Sequence, residues 1–106
     1  MAGRPDQETE DGVLTTTKRR LQRPPLYHVV MHNDDYTTQE LVIDILCTIF
    51  HHNEAAATHV MLTIHNRGKG IAGTYARDIA ESKVAQATDY ARAKGAPLKL
   101  TLEPQG

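Results

Sequence analysis

From Leu26 to His32 the side chains alternate, with Tyr27, Val29 and Met31 on one face and Leu26, Val30, His28 and His32 on the other. A period of two is that of a β-strand. Asn33-Asp34-Asp35 then stops the pattern, because these short polar side chains bond to nearby backbone and favour turns. Beyond them the period lengthens: Leu41, Val42, Ile45, Leu46, Ile49 and Phe50 form the apolar stripe of a helix. Thr37-Thr38-Gln39-Glu40 has the capping-box spacing, so this helix is expected to start at Thr37 and run to about Phe50. Asn53 can cap a second helix, and Glu54 suits its positive end. Ala57, Val60, Met61, Ile64 and His65 share one face of that helix.

Gly68 and Gly70 bracket a turn, and Ile71 to Tyr75 reads as a short strand weakened by Gly73. A third helix is expected from about Arg77 to Lys94, with Ile79, Ala80, Val84, Ala87 and Ala91 buried and Gly95 at its C-terminal cap. After Pro97, Leu98, Leu100 and Leu102 alternate with Lys99, Thr101 and Glu103, which predicts a half-buried last strand. The order β-α-α-β-α-β predicts an α+β domain: three helices on one face of a small three-stranded antiparallel sheet.

Residues 1–23 follow neither period. They are polar, mixed in charge and nearly without large apolar residues, Val13, Leu14 and Leu21 being the exceptions. Such a segment buries too little to offset its ordering entropy, which predicts a flexible N-terminal extension before a single domain at 24–106. Lys18-Arg19-Arg20 and Arg23 make its end basic, and composition alone reads it as a solvated tail. A chain of 106 residues suffices for one domain and not two. The formal net charge of -1 leaves no electrostatic footprint for nucleic acid or an anionic membrane. No apolar run approaches the length of a membrane span. The one cysteine, Cys47, excludes an intramolecular disulfide and fits a reducing compartment. Within its apolar helical stretch it reads as a buried small hydrophobe rather than a nucleophile. Met1 to Gly12 carry four acidic groups and resemble neither a secretory signal nor a transit peptide, so a soluble, cytoplasmic protein is expected.

Two features stand apart from plain structure. Asn33-Asp34-Asp35 lies at the mouth between the first strand and the first helix, and His65 ends an otherwise apolar stripe, where it is expected to be partly buried with a hydrogen-bond partner. Taken alone, His65 reads as a structural histidine. Together they offer an amide oxygen (Asn33), a carboxylate (Asp34) and a ring nitrogen (neutral His65), a set that suits the three donors of a free α-ammonium group. Met61 and Ile64 on the same helix face would supply a hydrophobic slot beside it, as recognition of an N-terminal residue requires.

The runs Leu26-Tyr27-His28-Val29-Val30-Met31-His32-Asn33-Asp34-Asp35-Tyr36-Thr37 and Ala57-Thr58-His59-Val60-Met61-Leu62-Thr63-Ile64-His65 resemble the ClpS adaptor family. So do Gly73-Thr74-Tyr75 with Ile79-Ala80-Glu81-Ser82-Lys83-Val84, and Pro97-Leu98 with Thr101-Leu102-Glu103. The resemblance covers nearly all of the chain from Pro24 onward. It implies a non-enzymatic bacterial adaptor without catalytic residues, cofactor or metal, which binds the N-terminal residue of N-degron substrates (Leu, Phe, Tyr, Trp) and delivers them to a ClpAP-type AAA+ protease. By the same resemblance Asn33, Asp34 and His65 hold the α-amino group, in part through water. Asp35, Thr37, Thr38, Gln39, Val42, Met61, Ile64 and Leu98 form the side-chain pocket, with Met61 as the gate against β-branched residues. Tyr36, Asp78, Glu81 and Lys83 are implied as the docking surface for the N-terminal domain of ClpA, or of ClpC. The N-terminal extension is then expected to engage the unfoldase during handover, and the protein to be monomeric. Many family members carry proline at position 38 and methionine at position 39; Thr38 and Gln39 depart from that, and Asp78 is shorter than the usual glutamate.

Three other classes compete. An enzyme could be drawn from Asp34, Asp35, His65 and Cys47, yet the chain has no nucleophile motif with an oxyanion loop, and Gly68-Lys69-Gly70 is too short for a phosphate loop. For a metal-binding module there are six histidines, but His51-His52 are adjacent and His59 and His65 are six apart, neither of which is a helical chelate. An RNA-binding module would need exposed aromatic pairs on the sheet and a basic charge, and the sequence offers neither.

Overall fold

The structure, a computed structural model, describes residues 24–106; the extension expected at 1–23 lies outside the described residues. Strand β1 (Leu26–His32) is the middle of a three-stranded antiparallel sheet, flanked by β2 (Lys69–Ala76) and β3 (Lys99–Pro104) in the order β2-β1-β3. Helices α1 (Gln39–Thr48) and α2 (Glu54–Arg67) connect β1 to β2, and α3 (Arg77–Ala93) connects β2 to β3. The expected α+β order and the antiparallel sheet are both present.

The alternation of β1 decides which face the helices cover. Val29 and Met31 are wholly buried and join Ala72, Leu98 and Leu100 of the flanking segments. Ile45 and Leu46 of α1 and Ala57, Met61 and Ile64 of α2 close over them. Full burial of a side chain the size of Ile45 or Leu46 contributes about 1.5–3 kcal/mol. The other sheet face is mixed: Val30 is buried there at 2 % exposure, while His28 pairs with Thr74 at 2.8 Å, His32 with Thr101 at 2.7 Å, and Lys69 with Glu103 at 3.0 Å. Helix α3 buries Ala80, Ala87 and Ala91, small residues that let it lie close to the sheet. Ile79, expected inside, is instead 49 % exposed, because one step along a helix turns it about 100° from Ala80. Val84 and Cys47, also expected inside, are only half-buried against the core.

Element ends differ from expectation in three places. Helix α1 begins two residues after Thr37, at Gln39, and ends at Thr48, before Ile49; its cap is Thr38, whose hydroxyl accepts from the Leu41 amide at 3.1 Å. With Thr38 as cap, the residue three places on is Leu41, so there is no reciprocal glutamate contact. Strand β2 begins two residues before Ile71, where Gly70 and Lys69 pair with Met31 and His32, and a bulge opposite Val29 and Val30 absorbs an extra residue. That residue is Ala72, between Ile71 (opposite Val30) and Gly73 (opposite Val29). The bulged carbonyl of Ala72 accepts from His52 Nε2 at 2.6 Å, which fixes the proton on that ring nitrogen. Helix α3 ends as its glycine predicts. Gly95 has φ +79°, its amide donates to Arg92 O, and Ala96 N donates to Ala91 O, both at 2.9 Å.

Candidate functional site

The turn after β1 is wound around one carboxylate. Asp34 Oδ1 accepts from the amides of Tyr36 (2.8 Å) and Thr37 (2.7 Å), and its Oδ2 accepts from the Thr37 hydroxyl (2.8 Å). Thr37 is thereby occupied, and Thr38 is left to cap α1. The Asn33 amide donates to Gly68 O at 2.8 Å, which ties the turn to the end of α2. Burial disfavours the charged form of Asp34, but the Thr37 amide and hydroxyl and the Tyr36 amide together outweigh it. With the positive charge of Arg92 added, the carboxyl sits below its ordinary pKa. Arg92 is held in place by its own bonds to the carbonyls of Ala96 (3.0 Å) and Leu98 (2.9 Å).

Between this turn, the first turn of α1 and the last turns of α2 lies a cleft of about 460 Å³, within the range of small-ligand sites. Its lining contains Asn33, Asp34, Asp35, Thr37, Thr38, Gln39, Val42, Met61, Ile64 and His65. The structure thus brings together the expected amino-group residues and all but one of the expected pocket residues. The exception is Leu98, which is 1 % exposed in the core and does not line the cleft. One residue was missed: Glu40, in the first turn of α1, also lines it. Side chains on a helix lean toward its N-terminus, so a first-turn glutamate beside Gln39 was the available signal. His65 departs from expectation too. It is exposed rather than partly buried, and no side-chain hydrogen bond of its ring is present among the described residues.

The cleft has two chemistries side by side. Val42, Met61 and Ile64 are buried residues that give it an apolar wall. Asp34, Asp35 and Glu40 place carboxylates on it, with the Asn33 amide and the His65 ring as further acceptors. Among the described residues no lysine or arginine lines it. A cation bearing an apolar group fits such a surface.

The four residues expected at a docking surface are not all adjacent. Asp78, Glu81 and Lys83 lie on the first turns of α3. Glu81 pairs with Arg77 at 3.1 Å, and Lys83 Nζ donates to Ile49 O at 2.7 Å. Tyr36, 80 % exposed, follows the other end of β1, since Leu26 pairs with Ala76 and His32 with Lys69. Seven strand residues, roughly 20 Å of sheet, separate the two ends.

Fold and cleft together define a small α+β domain with a cleft that is apolar on one wall and acidic on its rim. The chain belongs to the ClpS family: the family model for the ATP-dependent Clp protease adaptor protein ClpS matches residues 22–101. The ATP-dependent Clp protease adapter protein ClpS of Ruegeria sp. (strain TM1040) is 46% identical over 103 residues, 97% of this chain and 91% of that protein. The ClpS adapter of Desulfatibacillum aliphaticivorans is 42% identical over 102 residues, 95% of this chain and 98% of that one. Among solved structures, Agrobacterium tumefaciens ClpS2 bound to L-phenylalaninamide superposes with a TM-score of 0.75 at 42% identity, covering 78% of this chain and all of that one. The protein is therefore an adaptor of a Clp protease and not the protease itself.

Proposed function

We propose that this adaptor captures the N-terminal residue of its substrates in the cleft and passes them to the unfoldase of a Clp protease, ClpA or ClpC. The observation that carries this reading is the apolar wall set directly beside an acidic, acceptor-rich rim. A protein N-terminus offers the matching pair: an ammonium group and a side chain on the same Cα. The related ClpS2 binds L-phenylalaninamide, which has a free α-amino group and a benzyl side chain. Asn33, Asp34 and His65 accept from the ammonium, and Asp35, Thr37, Thr38, Gln39 and Val42, with Met61 and Ile64, surround the side chain. Glu40 adds negative charge at the mouth. Leu98 acts from behind, as core packing. Unbranched bulky residues (Leu, Phe, Tyr, Trp) suit the wall, and Met61 stands against branching at Cβ. Gln39 brings an amide into this lining and changes the ranking within that set.

Docking to the unfoldase is assigned to Asp78, Glu81 and Lys83 on α3, with Tyr36 as a separate contact. A monomer at work in the cytoplasm is the simplest arrangement, and the half-buried Cys47 thiol suits a reducing compartment. Fluorescence anisotropy with peptides that differ only at residue one tests the capture step. Micromolar binding, about -8 kcal/mol, is expected for Leu, Phe, Tyr and Trp. Much weaker binding is expected for Ile and Val. N-acetylation removes the charge and two of the three donors and is expected to abolish binding. Equal affinity for the acetylated peptide would overturn the reading.

A further inference from the structure

Gly70 lies on β2, outside the lining of the cleft, yet it is buried against the helix that forms one wall. A Cβ on Gly70 would stand 2.9 Å from Ile64 Cγ1, closer than two carbons tolerate. The backbone of α2 is not the obstacle: Val60 O and the Ile64 amide nitrogen would be 3.5 and 3.6 Å away, ordinary contact. The crowding falls on the Ile64 side chain alone.

Ile64 has little freedom to yield in place. It is 3 % exposed, and a β-branched residue in a helix holds essentially one χ1 rotamer. Its surroundings are close-packed except on one side, where it faces the cleft. A second hollow, lined by Val60 and Gly70 among others, does not reach Ile64. The open volume beside the Ile64 side chain is therefore the cleft itself.

We infer that Gly70 is a specificity-determining residue, which sets the size of the N-terminal side chain the protein accepts by letting Ile64 stand back from the cleft. This rests on the capture of an N-terminal residue proposed above. The bare Cα of Gly70 makes room for the isoleucine, and the isoleucine in turn fixes the width of the apolar wall. Any side chain at Gly70 moves the wall inward, and the largest ligands lose first.

The test is the peptide series above, applied to Gly70→Ala, Ile64→Val and the double variant, with thermal melting to record folding. Gly70→Ala is expected to weaken Trp and Phe peptides about tenfold more than Leu, the discrimination typical of one methylene in an apolar pocket. Ile64→Val shifts the ranking the opposite way. The double variant returns toward the original ranking, because the lost Cδ1 gives back the space. A uniform loss across all peptides, or an unchanged ranking, overturns the proposal. If Gly70→Ala alone does not fold, the double variant is compared with Ile64→Val: adding Gly70→Ala must move the preference toward Leu, and identical rankings overturn it. Unmodified protein that binds none of the peptides removes N-terminal capture itself. Normal capture with an unmoved ranking removes only the role of Gly70.

Discussion

Replacing Asp34 separates the two roles that its carboxylate holds. Asp34→Ala removes the acceptor of two amides and one hydroxyl. Hydrogen bonds to charged groups are worth about 1.5–3 kcal/mol each where water is excluded. Asp34 is half-buried, however, and water can replace part of what is lost. The better guide is the loss of a capping side chain, about 1–2 kcal/mol. For a domain of this size that lowers Tm by about 5–10 °C. Asp34→Asn keeps Oδ1 for both amides, and the Thr37 hydroxyl can turn to accept from the new NH2. Its stability cost should be about 0.5 kcal/mol, but its negative charge is gone. Both variants are therefore expected to lose at least about tenfold in affinity for a free N-terminus, or 1.4 kcal/mol.

The acid dependence of Asp34 has a fixed sign. Its carboxyl is held below the ordinary value in the folded state, so its charge stabilises the fold above the unfolded value of about 3.9. That contribution is lost as pH falls through the lower folded value. The stability advantage of the native residue over Asp34→Asn must shrink in acid. Melting curves from pH 7 to 3 and peptide titrations at pH 7 measure both effects. Asn as costly to stability as Ala, or Asn that binds as well as Asp, would refute the reasoning.

Three further outcomes are expected. The Tyr90 hydroxyl donates to Asp44, which depresses the Asp44 carboxyl, with help from Thr48, and raises the phenol; Tyr90→Phe should therefore lower Tm at pH 7 and lose that effect as pH falls below the ordinary carboxylate range. Lys83 bonds to Ile49 O and lies over the Tyr75 ring at 5.8 Å, so Lys83→Ala should cost about 1 kcal/mol of stability besides any docking defect; an unchanged melting curve would show that the residue is free for a partner. Peptide affinity should fall above about pH 8, where the α-amino group of the peptide loses its proton; a flat profile through that range would count against recognition of a charged ammonium.

Most of the fold was legible because it depends on local periods. The alternation in β1, the stripe of α1 and Gly95 at the end of α3 each needed only neighbouring residues. The departures arise where tertiary contacts choose between local equals. Thr37 and Thr38 could both cap α1, and Asp34 decides by taking Thr37 for the turn. Ile79 and Ala80 are adjacent on α3, and close approach to the sheet favours the alanine. The bulge at Ala72 has no local signal beyond Gly73, since it depends on register and on the distant His52. For the site, the Asn33-Asp34-Asp35 turn and the Met61-Ile64 face were readable. The exposure of His65 and the position of Leu98 behind the cleft were not, because both depend on how α2 and β3 pack. The dependence of Ile64 on Gly70 is likewise a contact between elements that no helical or strand period encodes.

The central claim is that the cleft between the Asp34 turn and α2 receives a free N-terminal residue. The most direct measurement is an NMR titration of the labelled full-length protein with a peptide that begins with phenylalanine, run in parallel with its N-acetylated form. Shifts confined to Asn33 through Val42 and Met61 through His65, and absent with the acetylated peptide, are the expected result. Equal shifts with both peptides, or shifts centred on the hollow around Val60 and Ile71 instead, would contradict it.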